Sequence, residues 1–310
     1  MNVEEWEARL TETFSGPGGV IGARLLKIIE MEKAYGGRLV RTFHGHNVLA
    51  DSFADFYIET LQKCNQGVHR DELPREYPDY PLTVLDYVVN FRSLRAAANL
   101  FTCGYPLDGY CLLRDLKDRA VFLAALAASA TSWPALLGAE QFCTSDRLTE
   151  QEFQAARKRR VKEERRVRTV MLGARSGLPL DHLAELRRWE NLFHYQVHGS
   201  SLTIAFEGIG WLRGQEGLSI GPAFNETAAA TYMNRTGEVG WMLLRTLPFL
   251  QPKPRAFGED WARKWAVLDE SFRVCVLSLD KLGKPIARAI VAFVDARFAF
   301  SPDTAYGERA

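Results

Sequence analysis

The sequence predicts an all-α fold, a multi-helix bundle, and three observations predict it. Apolar residues recur at three- and four-residue intervals from one end of the chain to the other. Strict alternation bounded by hairpin turns is scarce, and the nearest candidate, Asp108-Gly109, sits inside a helical pattern. Prolines, glycines and capping residues fall where the periodic runs begin and end.

In chain order, Gly16-Pro17-Gly18-Gly19 separates a short first helix from a second that runs to about Gly36-Gly37. No Lys-Ser/Thr pair follows these glycines, so they read as a turn and not a phosphate loop. A third helix spans about Asn47 to Asn65, with His44-Gly45-His46 as its entry turn. Leu73 to Pro81 holds three prolines and reads as a linker. Pro81 opens a long helix with Leu85, Val88, Val89, Phe91, Leu94 and Ala98 on its apolar face, stopped near Gly104. The next carries Leu112, Leu113, Leu116, Ala120, Leu123 and Leu126, and the two form a helical hairpin. Thr149 and Glu152 fit a capping box at the head of a charged helix reaching about Leu172. Leu180-Asp181 starts another, and Asn225–Phe249 and Gly258–Leu282 give two more. The expected organisation is an N-terminal helical arm (1–72), a Pro-rich linker (73–81), a helical bundle (82–285) and a C-terminal helix or tail (286–310).

At 310 residues, 47% hydrophobic and 25% charged, the chain can bury a sizeable core. Lys+Arg 39 against Asp+Glu 38 leaves +1, so no overall field draws it to nucleic acid or membrane and any such attraction must be local. The most apolar run, Ala120 to Ala139, is broken by Ser129, Thr131, Ser132 and Pro134, and is too short for a bilayer core of about 30 Å. Five scattered cysteines without a CxxC pair, and a first segment rich in Glu with no apolar stretch, read as a cytoplasmic protein with reduced thiols. Among seven tryptophans, Trp211, Trp241, Trp261 and Trp265 read as helix packing, although Trp261 and Trp265, one turn apart, could line a partner surface.

The candidate site lies on the helix from Leu180. At ~100° per residue, with Arg187 at zero, Asn191 falls near ~40°, His194 near about −20° and His198 near ~20°. Leu183, Leu186, Phe193 and Val197 occupy an adjoining apolar face, so the polar row is expected to border the core, half-buried. Arg157, Lys158, Arg159, Arg160, Lys162, Arg165, Arg166 and Arg168, against only Glu163 and Glu164, form a positive stripe on the preceding helix that could track an RNA phosphate backbone or simply be solvated.

Arg187 or Arg188 followed by His194 fits the Arg-x(4–6)-His pattern, and here the chain resembles the HEPN superfamily of helical ribonucleases and nucleotide-binding domains. Phe91-Arg92-Ser93-Leu94-Arg95, Gly104 and Leu112–Asp118, followed by the ending Val197-His198-Gly199-Ser200, are similar to a HEPN-like bacterial family, over roughly Leu82 to Leu282. The resemblance implies metal-independent cleavage of RNA or tRNA at a homodimer interface, without cofactor, in a setting of bacterial stress, toxin–antitoxin pairing or phage defence. Arg187 or Arg188, Asn191, and His194 or His198 would be the catalytic set, with Asp115 or Asp118 orienting it. His194 suits the nuclease spacing and His198 the Val-His-Gly ending, and the choice stays open at this point. A catalytically silent HEPN-like module that binds a protein partner is the alternative. In it the polar row would hydrogen-bond to Asp115, Asp118 or Glu190 as a structural network. A zinc pair His194-x3-His198, with His44 and His46, is a further rival that lacks the Glu of a HExxH site.

Overall fold

The computed structural model describes residues 4, 5, 8, 23–68, 80–138, 149–172, 177–197, 222, 224–250, 257–278 and 284–300. Among these the regular structure is entirely helical. The helices are α1 (Ala23–Thr42), α2 (His44–Val68), α3 (Tyr80–Thr102), α4 (Pro106–Ala127), α5 (Trp133–Leu137), α6 (Glu150–Leu172), α7 (Leu180–Val197), α8 (Glu226–Thr246, continued by a 3-10 turn, Leu247–Leu250), α9 (Glu259–Ser278) and α10 (Lys284–Arg297). No helix among the described residues is long and apolar enough to cross a membrane.

The hub is α8. Asn225 caps it, its side chain accepting from the Ala228 amide at 3.1 Å. From Tyr232 onward it is buried nearly all round, with Val239, Trp241, Met242, Leu243 and Leu244 fully enclosed. A helix apolar on every side must be wrapped by others. Here α2, α4 and α9 do the wrapping, with α3 and α10 at the edges. On the far side of α4, α7 and α6 pack against it, and α10 closes over α7.

The α3–α4 hairpin forms as expected, and Gly104 makes the turn with φ +84, a left-handed conformation that disfavours any other residue. Its tip is tied to α1, where the Tyr105 hydroxyl donates to Glu32 at 2.5 Å. Helix α1 runs through Gly36-Gly37 to Thr42 instead of ending there. Gly36 explains why, since a Cβ at that position would lie 2.8 Å from the Thr102 carbonyl oxygen; the glycine admits the end of α3 and does not break α1. Similarly, α2 starts at His44 and not Asn47, so the entry turn is its first turn, and the Asn47 amide and side chain both donate to the Phe43 carbonyl (3.1 and 2.8 Å).

Three expectations change. The N-terminal arm is not set apart from the bundle, because Phe53, Phe56, Tyr57 and Cys64 of α2 sit in the same core as α4, α8 and α9. Trp261 and Trp265 line no surface: they are 0% and 6% exposed, and their indole N–H groups donate to Thr60 Oγ1 (2.8 Å) and the Leu244 carbonyl (3.1 Å). The C-terminal segment contributes α10, whose Ile290, Phe293 and Val294 belong to the main core. Cys64 and Cys275 are buried thiols, and Cys103 and Cys111 are free as well. Trp211, Cys143 and the loop at residues 16–19 lie outside the described residues.

Candidate functional site

Helix α7 is held by Leu183, Leu186, Trp189 and Phe193, each 4% exposed or less. The sequence projection leaves out Trp189, which sits about 160° from Arg187 on the far side of the apolar face. Its burial turns the packed face away from the polar row, so Arg187, Arg188 and Asn191 are exposed and not half-buried. Arg188 pairs with Glu185 one turn back (3.1 Å). The side chains of Arg187 and Asn191 take no hydrogen bond or ion pair among the described residues. The backbone of His194 continues the same line one turn on; its side chain, and all of His198, lie outside the described residues.

The acidic residues of α4 are engaged elsewhere. Asp115 accepts from Arg119 Nε at 2.8 Å, and Arg119 reaches Asp86 of α3 at 3.0 Å. Asp118 accepts from Arg168 of α6 at 2.6 Å and lies 3.5 Å from Lys117 Nζ. Lys117, 3% exposed, also donates to Glu190 of α7 at 3.2 Å, with its ammonium 5.3 Å from the Trp189 ring and 5.4 Å from that of Phe193. A chain of charges, Arg168–Asp118–Lys117–Glu190, therefore joins α6 to α7 through α4. No described hydrogen bond connects Asp115, Asp118 or Glu190 to Arg187 or Asn191, so the structural network proposed for those two side chains is not formed.

Beneath α7 lies a second charged group. Arg235 and Glu238 of α8 are each 1% exposed, and the guanidinium donates to both carboxylate oxygens at 2.6 Å. The Trp189 indole donates to the same carboxylate at 2.6 Å. Burial pushes the Glu238 carboxyl above its ordinary range, against the pull of Arg235 and the indole. Sequence reading singled out neither this trio nor Lys117. A signal existed for Lys117: it occupies a core slot in the run Leu113, Leu116, Lys117, Ala120, Val121, Ala124, where a charge requires a buried partner.

The basic helix α6 begins with the expected capping box. The Glu152 amide donates to Thr149 Oγ1 at 3.3 Å, and Glu152 accepts from the Thr149 amide at 2.8 Å. Its eight cations then divide. Arg159 donates to the Gly138 carbonyl (2.7 Å), Arg160 pairs with Glu164 (3.3 Å), Arg166 binds Glu163 and the Ala130 carbonyl (2.6 and 2.5 Å), and Arg168 holds Asp118. The side-chain hydrogen bond from Arg166 holds the Glu163 carboxyl down, from 4.5 to about 2. Arg157, Lys158, Lys162 and Arg165 are exposed, and their side chains pair with nothing among the described residues.

Among the described residues no group of three or more His, Cys, Asp or Glu is arranged to hold a metal ion. His44 is exposed at the head of α2, and burial lowers the pKa of His46, whose Nε2 is enclosed without a partner among the described residues. No protein-family model, no curated protein and no solved structure matches the chain.

Proposed function

We propose that this chain is a HEPN-like, metal-independent endoribonuclease that works as a homodimer, with the α7 helices of two copies facing one RNA strand. The observation that carries the reading is the placement of Arg187: it is exposed, takes no partner among the described residues, and lies in line with Asn191 and the backbone position of His194. An arginine that meets no carboxylate among the described residues can offer its planar fork to a phosphate. In this mechanism a ribose 2′-hydroxyl attacks the adjacent phosphorus. The new O2′–P bond replaces the P–O5′ bond, a histidine takes the hydroxyl proton, and the 5′-oxygen leaves with a proton drawn from water. Arg187 or Arg188 steadies the charge that builds on the phosphoryl oxygens, and proton transfer by a placed histidine contributes about 10²–10⁴ in rate. Asp118 and Asp115, tied to Arg168 and Arg119, act by holding α4 and not as proton carriers. The bacterial stress or phage-defence setting rests on the resemblance alone.

The test is purified protein with total RNA or tRNA in EDTA. Ends bearing 2′,3′-cyclic phosphate are expected, with a loss of at least about a hundredfold in Arg187→Ala and His194→Ala. Cleavage unchanged in His194→Ala and lost in His198→Ala would move the role to the second histidine. Cleavage unchanged in all three variants removes α7 from the chemistry.

A second reading, a silent HEPN-like sensor or antitoxin-like subunit, is favoured by Val267, Val274 and Leu277, which stand 62%, 56% and 44% exposed along α9. Apolar side chains spaced along one exposed helix suit a protein partner. No cleavage at any RNA concentration, with a stable complex lost in Val267→Asp/Val274→Asp, is the result expected of that reading.

A further inference from the structure

The eight cations of α6 do two different jobs. With Lys158 at zero and ~100° per residue, Lys162 falls near ~40° and Arg165 near about −20°, while the buried Ala156, Val167 and Met171 lie between ~160° and ~220°. Three of the four cations that pair with nothing among the described residues therefore form one line opposite Ala156, Val167 and Met171, while the fourth, Arg157, stands near about −100° from Lys158 and off that line. Arg159, Arg160, Arg166 and Arg168 are consumed by internal acceptors, and both acids of the segment, Glu163 and Glu164, are matched by two of them. Among the described residues no acid pairs with the Lys158–Lys162–Arg165 face, in a protein whose formal charge is only +1.

We infer that this face is an RNA-binding surface that grips the phosphate backbone independently of sequence. Successive cations along it are spaced by four and three residues, a rise of about 6 and about 4.5 Å, and three of them span about 10.5 Å of helix. A polyanion with closely repeated charges complements such a line, and long flexible side chains can adjust to its phosphates. Contacts of this kind fix position and release counterions without reading bases. The choice of RNA over DNA rests on the nuclease reading; binding of a phosphate backbone by this face does not.

The test is fluorescence anisotropy with a labelled mixed-sequence RNA, using the full chain carrying His194→Ala so that the probe survives. Reversal of the line, Lys158→Glu/Lys162→Glu/Arg165→Glu, is expected to weaken binding at least about a hundredfold. It should also flatten the slope of log affinity against log salt by about 2, three contacts at roughly 0.7 each. The milder triple change to Gln is expected to weaken binding about tenfold and to keep the parent melting temperature, since these side chains support nothing inside. A matched reversal elsewhere, Lys27→Glu/Lys33→Glu/Arg263→Glu, is expected to cost less than about threefold. Equal losses in the two reversed triples, or no binding by the parent, overturns the surface. Equal affinity for DNA of the same sequence overturns the assignment to RNA. RNA bound through this face but left intact by the wild-type chain keeps the surface and removes the nuclease, so the two readings fail separately.

Discussion

Lys117 is the residue on which the region around α7 turns. Its ammonium is enclosed by Asp118, Glu190 and the faces of two aromatic rings, and its stem fills space that an apolar side chain would otherwise occupy. Lys117 is the buried member of the group, since the Glu190 side chain is 32% exposed and Asp118 keeps Arg168 as a partner, so its removal costs the charged hydrogen bond to Glu190 and the packing of its stem. Lys117→Ala is therefore expected to destabilise the protein by about 2 kcal/mol in urea unfolding. Lys117→Met, which refills the stem, should cost less; equal costs for the two would mean that the lost charge, not packing, is at stake. A residue such as this was only partly visible in the sequence. Its position in a core register could be read, but the partner Glu190 lies 73 residues away on another helix. Arg187 and Asn191 were legible as a line. Their exposure was not, because it depends on where Trp189 finds its acceptor, Glu238 of α8.

At the level of elements, periodicity identified most helices because their burial patterns follow the 3.6-residue turn, and a capping box marked one start, at Thr149. The errors fell at glycines. Gly36-Gly37 reads as a stop by composition, yet the absent side chain serves a helix crossing. Helix α6 shows the same limit for charge. Its composition announces a cationic stripe, but which cations are free depends on carbonyls at Ala130 and Gly138 that composition cannot see. One staple of that helix is pH-dependent. Glu163 titrates near about 2 in the folded chain against an ordinary 4.5, so the stability it contributes is present above about pH 4.5 and is lost as the pH falls towards about 2. The thermal midpoint of the wild type is expected to fall across this window, and that of Glu163→Gln to start lower and fall less. Parallel curves for the two would show that Glu163 and Arg166 do not pin α6 to the end of α4.

Across the whole molecule, the all-helical class was legible, whereas the boundary at 72 was not a boundary of the core. Prolines at 74, 78 and 81 read as a linker, and composition alone does not say whether the flanking helices share an interior. They do: Phe53 packs edge-on to Phe272 of α9 at 5.2 Å, and the Tyr57 hydroxyl donates to the Tyr87 carbonyl of α3 at 3.1 Å. A chain beginning at Leu73 is accordingly expected to lose its cooperative thermal transition, as followed by circular dichroism. A truncated chain that melts at the midpoint of the full chain would restore the arm as a separate unit. The trio Trp189, Arg235 and Glu238 carries a different kind of consequence, one of inheritance. Loss of Arg235 strands a carboxylate in the interior, loss of Glu238 strands a guanidinium, and loss of Trp189 opens the roof over both. Replacing one member of the trio alone is therefore costlier than replacing Arg235 and Glu238 together, so the spot tolerates paired substitution better than any single step.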